Sequence, residues 1–412
     1  MRLRIKDLAT KVGSGVTPKG GASVYQDNGI PLFRSQNVTN DGFLLDDIAY
    51  ISEEIHKSMI GTRLMPNDVL LNITGASIGR CYYLPKNFKE GNVNQHVCII
   101  RPKVNVVIPA FLYYNLISAV GQQMIDVCQT GANREGLTKE DICNFEFDIP
   151  SLADQQRMVT YLDTKLSEID HQVSLLTSKR DAYLRMKKSI INHAVTRGLN
   201  PNVKMKDSGI EWIGEVPGHW EVKRLKNVVE CNAKSLGENT PKDSFIKYVE
   251  ISDVDNVHGI NNIQSLMFGE APSRARRITQ KGDIIISTVR TYLKAIAKIE
   301  DDDIIVSTGF AVLHPTKCNG EYLAYYILSE SFINKVEMLS KGTSYPAINA
   351  SDLVSINVLI PPLPEQHAIA TYLDDKCAKI DTIVSNLNKQ ISRYADLKRS
   401  LIDEVITGKR AV

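Results

Sequence analysis

The chain copies part of itself. The stretch IPSLADQQRMVTYLDTKLSEIDHQVSLL beginning at Ile149 returns as IPPLPEQHAIATYLDDKCAKIDTIVSNL beginning at Ile360, an offset of 211 residues. From Ile149 to Thr196, 19 of 48 positions are identical in the second copy, including Thr160-Tyr161-Leu162-Asp163 against Thr371-Tyr372-Leu373-Asp374. Self-similarity at one offset restricts the fold strongly, because both copies must satisfy the same packing demands. Weaker echoes precede the blocks: PNDVLLNIT at Pro66 with KGDIIISTV at Lys281, VNQHVCIIRP at Val93 with VSTGFAVLHP at Val306, and FLYYNLIS at Phe111 with YLAYYILS at Tyr322. Gly131 and Asp141 match Gly342 and Asp352. The layout is a variable half followed by a repeated block, twice over. A length of 412 residues agrees, since it exceeds what one core usually supports.

Neither block has Gly or Pro in its body, from Ser151 to Arg197 or from Glu365 to Thr407. Ser151 with Asp154 makes a capping box, Pro364 suits a first helical turn, and Gly198 and Gly408 suit C-caps. Apolar positions step by four and three through Ile169, Val173, Leu176, Tyr183 and Ile190, and again through Ile380, Val384, Leu387, Ile391, Tyr394, Leu401 and Val405. That is an a/d seam. Two equivalent seams predict that the helices pair with each other as an antiparallel coiled coil with an internal pseudo-twofold. About 30 helical residues would make a rigid spacer of roughly 45 Å.

The variable halves mix short β-branched runs (Val69-Leu70-Leu71, Ile284-Ile285-Ile286, Ile304-Ile305-Val306) with one clear helix near Leu112 or Leu323. The expected fold class is α/β (α+β) recognition domains, two per chain, separated by the two long helices. The expected divisions are 1–148 (first recognition domain), 149–206 (central helical spacer), 207–359 (second recognition domain) and 360–412 (C-terminal helical spacer). Gly- and Pro-rich sequence from Arg197 to His219 reads as a linker. Strands anchored by the repeat with strongly different loops suit two related domains reading two different targets.

The 49 Lys+Arg against 47 Asp+Glu leave +2, too little to announce a polyanion partner. The distribution says more. Residues 149–206 carry 10 basic and 5 acidic groups, notably Lys179, Arg180, Arg185, Lys187 and Lys188, while 207–359 carry 16 and 20. Within the second half, Arg274, Arg276, Arg277, Lys281, Arg290 and Lys294 form a basic set with Tyr292 interleaved; Thr308 and Tyr345 accompany it as candidates. In the first half, Arg34-Ser35-Gln36-Asn37, Thr74, Arg80, Gln95-His96 and Asn133-Arg134 offer donors and acceptors suited to base edges. Arginine can take both guanine acceptors at once, and Asn or Gln can pair bidentately with adenine.

Other classes fall away. Seven widely spaced cysteines without Cys-x-x-Cys fit a reducing compartment, and eight scattered histidines give no metal site. No catalytic residue is assigned: the chain lacks a Walker motif, His-Glu-x-x-His, a Gly-x-Ser-x-Gly elbow and the Asn/Asp-Pro-Pro-aromatic adenine-methylase motif. Met1 to Lys6 leads into no apolar run, so no secretory leader is expected. The uncharged run Val104 to Ile125 is broken by Asn105, Pro109, Asn115, Gln122 and Gln123, and predicts a buried helix from Pro109 rather than a membrane span. A cytoplasmic protein is expected.

The sequence resembles the specificity (S) subunit of type I restriction–modification systems. The resemblance rests on Ile360-Pro361-Pro362-Leu363-Pro364-Glu365-Gln366 and its counterpart Ile149 to Gln155, and on Lys281-Gly282-Asp283-Ile284 with Ser307-Thr308-Gly309-Phe310. Trp212-Ile213-Gly214 through Pro217-Gly218-His219-Trp220 adds to it, and it covers almost the whole chain. The first copy departs at Ala153-Asp154-Gln155, and the first half opens at Arg2-Leu3-Arg4-Ile5 without a Trp-containing lead. The resemblance implies double-stranded DNA as target, with each half reading one part of a bipartite, asymmetric site. It implies two methylation subunits as direct partners and restriction subunits through the complex, with no membrane. It implies no cofactor in this chain; S-adenosylmethionine, ATP and magnesium belong to the partner subunits. The alternatives are a related gapped-site methylase system or a free-standing DNA-binding regulator.

Overall fold

The computed structural model describes residues 1–129 and 136–412. The chain divides into two units: residues 1–177 with 389–412, and residues 178–388. Each unit thus holds one recognition domain together with a part of both long helices. The boundary between the units falls across the middle of each long helix.

In the first unit, a four-stranded antiparallel sheet runs in the order Ala9–Ser14, Val97–Pro102, Val69–Asn72, Cys81–Tyr83. Its central strands are apolar on both faces because both faces are covered. Val69 and Leu71 point to one core with the helix Pro109–Ile117 and the long helices; Leu70 points to another with Phe33, Val38 and Val93. A smaller sheet, Ala49–Ile51, Ile30–Phe33 and Asn92–Val93, stands behind it and contains one parallel pairing.

The second unit repeats this design. Its sheet order is Val229–Cys231, Phe310–Pro315, Ile284–Ser287, Ile296–Lys298. Ile284 and Ile286 face one core and Ile285 the other. Its smaller sheet, Gln264–Met267, Phe245–Val249, Ile304–Ser307 and Ala275–Ile278, again has one parallel pair. Pairing is thus almost wholly antiparallel, so within the expected class the domains are α+β. Arg2–Arg4 pairs Glu146–Asp148 just as Glu221–Arg224 pairs Asn357–Ile360. The expected linker contains a short hairpin, Met205–Asp207 with Glu215–Pro217.

The buried helix expected from Pro109 is two helices, Pro109–Ile117 and Ala119–Gln129, parted at Ser118. The same break occurs at Ser329, between Gly320–Leu328 and Glu330–Leu339.

The repeated blocks form helices Leu152–Arg197 and Leu363–Ile406, of 46 and 44 residues. At 1.5 Å per residue they measure about 69 and 66 Å, longer than the seam alone suggests. The Ser151 hydroxyl accepts from the Asp154 amide at 3.2 Å and donates to its carboxylate at 2.7 Å. Gly198 (φ 76°) and Gly408 (φ 71°) end the helices in the left-handed region, where glycine has no Cβ penalty.

Within each unit the two helical segments run antiparallel. In the first, Lys398 reaches Asp170 at 2.8 Å while Arg410 lies 3.4 Å from Tyr161. In the second, Lys187 reaches Asp381 at 2.7 Å, and Gly198 lies beside the Glu365 carboxylate. The two ion pairs stand 211 residues apart on both members. Along the seam, Ile169, Ile380, Leu387, Leu401 and Val405 are buried; Val173, Leu176, Tyr183, Ile190, Val384, Ile391 and Tyr394 are half-buried. No helix among the described residues is long and apolar enough to cross a membrane.

Candidate nucleic-acid interface

Each four-stranded sheet ends in a polar tip held by the loop between its third and fourth strands. In the first unit this loop is residues 73–79, closed by the Asn72 amide on the Arg80 carbonyl at 2.8 Å. The Ile73 amide bonds the His96 carbonyl at 3.0 Å, which brings the neighbouring turn alongside. There the Thr74 hydroxyl meets His96 Nδ1 at 2.6 Å, Gln95 meets His96 Nε2 at 2.9 Å, and Thr17 bonds Gln95. The structure so assembles Thr74, Gln95 and His96, separated in sequence, into one partly exposed polar cluster. Thr17 is a member that sequence reasoning missed, because no local pattern marks it. Arg80 is exposed at the end of the same loop.

The second unit has the matching tip. Residues 288–294 form the loop, closed by the Ser287 amide on the Ala295 carbonyl at 2.9 Å. The Thr288 amide bonds the Gly309 carbonyl and the Thr308 amide bonds the Arg274 carbonyl, both at 2.8 Å. Val289 bridges to Ala347, and the Thr291 amide bonds the Pro346 carbonyl. Arg274, Arg290, Tyr292, Thr308 and Tyr345 thereby come to one end of the sheet and are exposed. Gly309 permits the close packing: a Cβ there would stand 2.6 Å from Ile251 and 3.2 Å from Val289.

Other candidates are engaged internally. Asn37 is 1% exposed, with its amide donating to the Leu44 and Asp47 carbonyls. Arg34 and Gln36 bond Asp47, and the Ser35 carbonyl accepts from Asn72. This segment braces its own loop, a role that short polar side chains perform as readily as base contact. The expected basic set of the second half is likewise divided. Arg274 pairs with Glu250, the Arg276 guanidinium lies 4.7 Å from the Phe268 ring centre, the Arg277 Nε is buried, and Lys294 pairs with Glu337 at 3.3 Å. On the helices, Lys187 and Arg180 are paired with Asp381 and Asp181. Asn133, Arg134 and Gly131 lie outside the described residues. No group of three or more His, Cys, Asp or Glu among the described residues could hold a metal ion.

The repeat motif has a different explanation from surface chemistry. Gln155 is fully buried; its Oε1 accepts the Ile108 amide at 2.8 Å and its Nε2 donates to the Val106 and Pro150 carbonyls at 3.0 Å. Gln366 does the same with the Asn319 amide and the Pro361 carbonyl, both at 2.7 Å. Asp163 accepts from Tyr114 at 2.6 Å, and Asp374 from Tyr325 at 2.7 Å. Burial and the neighbouring carboxylate push both phenols well above their usual range. These pairs clamp each recognition domain to the helix that follows it.

Two units of one design, each ending in a differently decorated polar tip, define a duplicated recognition protein. Residues 1–175 and 217–393 match the type I restriction modification DNA specificity domain. The chain belongs to that family. It is 23% identical to the putative type I restriction enzyme MjaX specificity subunit of Methanocaldococcus jannaschii, over 98% of this chain and 92% of that one. It is 22% identical to the EcoKI specificity subunit of Escherichia coli, over 96% and 86%. Among solved structures, a chain from a study of complex assembly and conformational transition of the type I restriction–modification system matches with a TM-score of 0.72 at 16% identity, over 98% and 97% of the two chains. The HsdS subunit from Thermoanaerobacter tengcongensis matches at 0.51 and 16%, over 100% and 97%.

Proposed function

We propose that this chain is the non-catalytic DNA-recognition subunit of a type I restriction–modification enzyme, with its two sheet tips reading the two parts of a gapped, asymmetric site. The observation that carries this is the shared scaffold with divergent tips. The first tip offers Thr74, Gln95 and His96, and the second offers Arg290, Thr308 and Tyr345 on an equivalent frame. Polar groups on those tips contact base edges, and nearby cations hold the phosphates. The paired long helices fix the number of intervening base pairs while leaving their identity unread. Two methylation subunits dock on the chain and carry S-adenosylmethionine; restriction subunits join through the complex with ATP and magnesium.

The test is co-expression of the chain with its methylation subunit, followed by genome-wide mapping of methylated adenines. A two-part motif with a constant gap is expected. A contiguous motif, or methylation without sequence preference, would overturn the reading.

A further inference from the structure

The two tip loops have the same length and share one backbone hydrogen bond and two left-handed positions, but differ in which side chains they carry. Seven residues separate Asn72 from Arg80, and seven separate Ser287 from Ala295. In both, the third residue's carbonyl accepts the amide three residues on: Gly75 from Ile78 at 3.1 Å, Arg290 from Leu293 at 2.9 Å. In both, the third and seventh residues are left-handed. They are Gly75 (φ 66°) and Gly79 (φ 85°) in the first domain, and Arg290 (φ 51°) and Lys294 (φ 52°) in the second. Glycine adopts this conformation freely, whereas a residue with a Cβ is strained there. Two of the five left-handed non-glycine residues among the described residues thus stand where the sister domain uses glycine.

Strain retained where a glycine solution exists needs a compensating role. Lys294 has one inside the fold, the ion pair to Glu337 on the helix Glu330–Leu339. Arg290 has no carboxylate or carbonyl partner among the described residues. Its guanidinium lies 5.0 Å from the centre of the Tyr345 ring, and both side chains are exposed. A ring face orients a guanidinium without occupying its five donors. The loop beneath is held by Thr291, whose hydroxyl meets Ser340 at 2.9 Å. The result is a cation on a braced left-handed turn, with its donor edge left for an outside acceptor.

We infer that Arg290, laid against Tyr345, is a specificity-determining residue of the second domain, taking the paired N7 and O6 acceptors of a guanine in its part of the site. This rests on the DNA-reading function proposed above. At the matching position the first domain presents Gly75 and no side chain, so its tip selects through the Thr74–His96–Gln95 cluster instead.

The experiment uses the full chain co-expressed with its methylation subunit. Wild type, Arg290→Gly and Tyr345→Leu are compared by adenine-methylation mapping of host genomic DNA and by thermal melting. Competition follows with duplexes in which one guanine at a time is replaced by 7-deazaguanine. Arg290→Gly should melt at or above the wild-type temperature, because the sister loop already runs through glycine there. It should relax one guanine in one part of the motif, by roughly ten- to hundred-fold in preference, and lose sensitivity to 7-deazaguanine at that position. Tyr345→Leu should relax the same guanine more weakly. Unchanged preference, a loss uniform over all duplexes (a phosphate contact), or a lowered melting temperature with preference intact (a structural clamp) would each overturn the assignment. A wild-type map without a two-part motif would remove the DNA-reading function itself, and this inference with it.

Discussion

Gln155 and Gln366 show how much a single buried side chain can decide. Each is a buried amide that holds the loop ahead of a domain helix by accepting one backbone N–H and donating to backbone carbonyl oxygen. Replacing either by alanine leaves a buried N–H and carbonyls unsatisfied, and should cost about 1–3 kcal/mol in urea-unfolding stability. Asp255 gives a test in pH. Burial disfavours its charge, but the His258 and Val257 amides and the Asn261 side chain outweigh this and bring its pKa down to about 2, from 3.8. A depressed carboxylate contributes stability above its unfolded pKa and loses it as the pH falls through the folded value. The hairpin Val254–Asp255 with Gly259–Ile260 should therefore stay closed to pH ~4 and loosen toward pH ~2, read by NMR of the Asp255 carboxyl. Among the thiols, burial pushes Cys98 up to about 12 and Cys81 higher still. Neither should react with a thiol reagent until the chain is unfolded.

At the scale of elements, the sheets are held by residues that alternate between two cores. Leu71 faces the helical side and Ile285 the smaller-sheet side, both with no exposed surface. Truncating either to alanine should cost about 2–5 kcal/mol, measured by chemical denaturation, since the covering layers on each face leave little room to collapse. The seam is less demanding. Tyr183, Ile190, Val384 and Ile391 are only half-buried, so the mid-helix pairing relies partly on the ion pairs Lys187–Asp381 and Lys398–Asp170. Burial works against the Lys398 charge, yet bonds to Asp170 and Asp41 hold its pKa above the ordinary lysine value. Its contribution is accordingly complete below about pH 10 and declines only as the pH rises through the folded value.

At the scale of the molecule, the proposed role makes helix length a ruler. Inserting four residues into each long helix near Tyr183 and Tyr394 lengthens the segment by about 6 Å. The methylated motif should then keep both of its parts and widen its gap by about two base pairs, at roughly 3.4 Å per pair. Methylation mapping of the insertion variant reads this directly; a changed base preference with an unchanged gap would contradict it.

The duplicated architecture, the two capped helices and their seam were legible in sequence because each leaves a local periodic signal, and the repeat doubles it. The repeated Ile-Pro…Gln motif was visible too, but its reason was not: Gln155 acts on Ile108 and Gln366 on Asn319, contacts that no spacing rule encodes. Residue type alone could not separate Asn37, turned inward, from Gln95, turned outward, since both carry the same amide chemistry. Nor could it show that Arg290 sits in a left-handed conformation, because the backbone angle of a residue with a Cβ is set by the packing around it. Periodicity determined the elements, and only tertiary packing decided which polar groups brace the frame and which face outward, because that choice depends on neighbours far away in the chain.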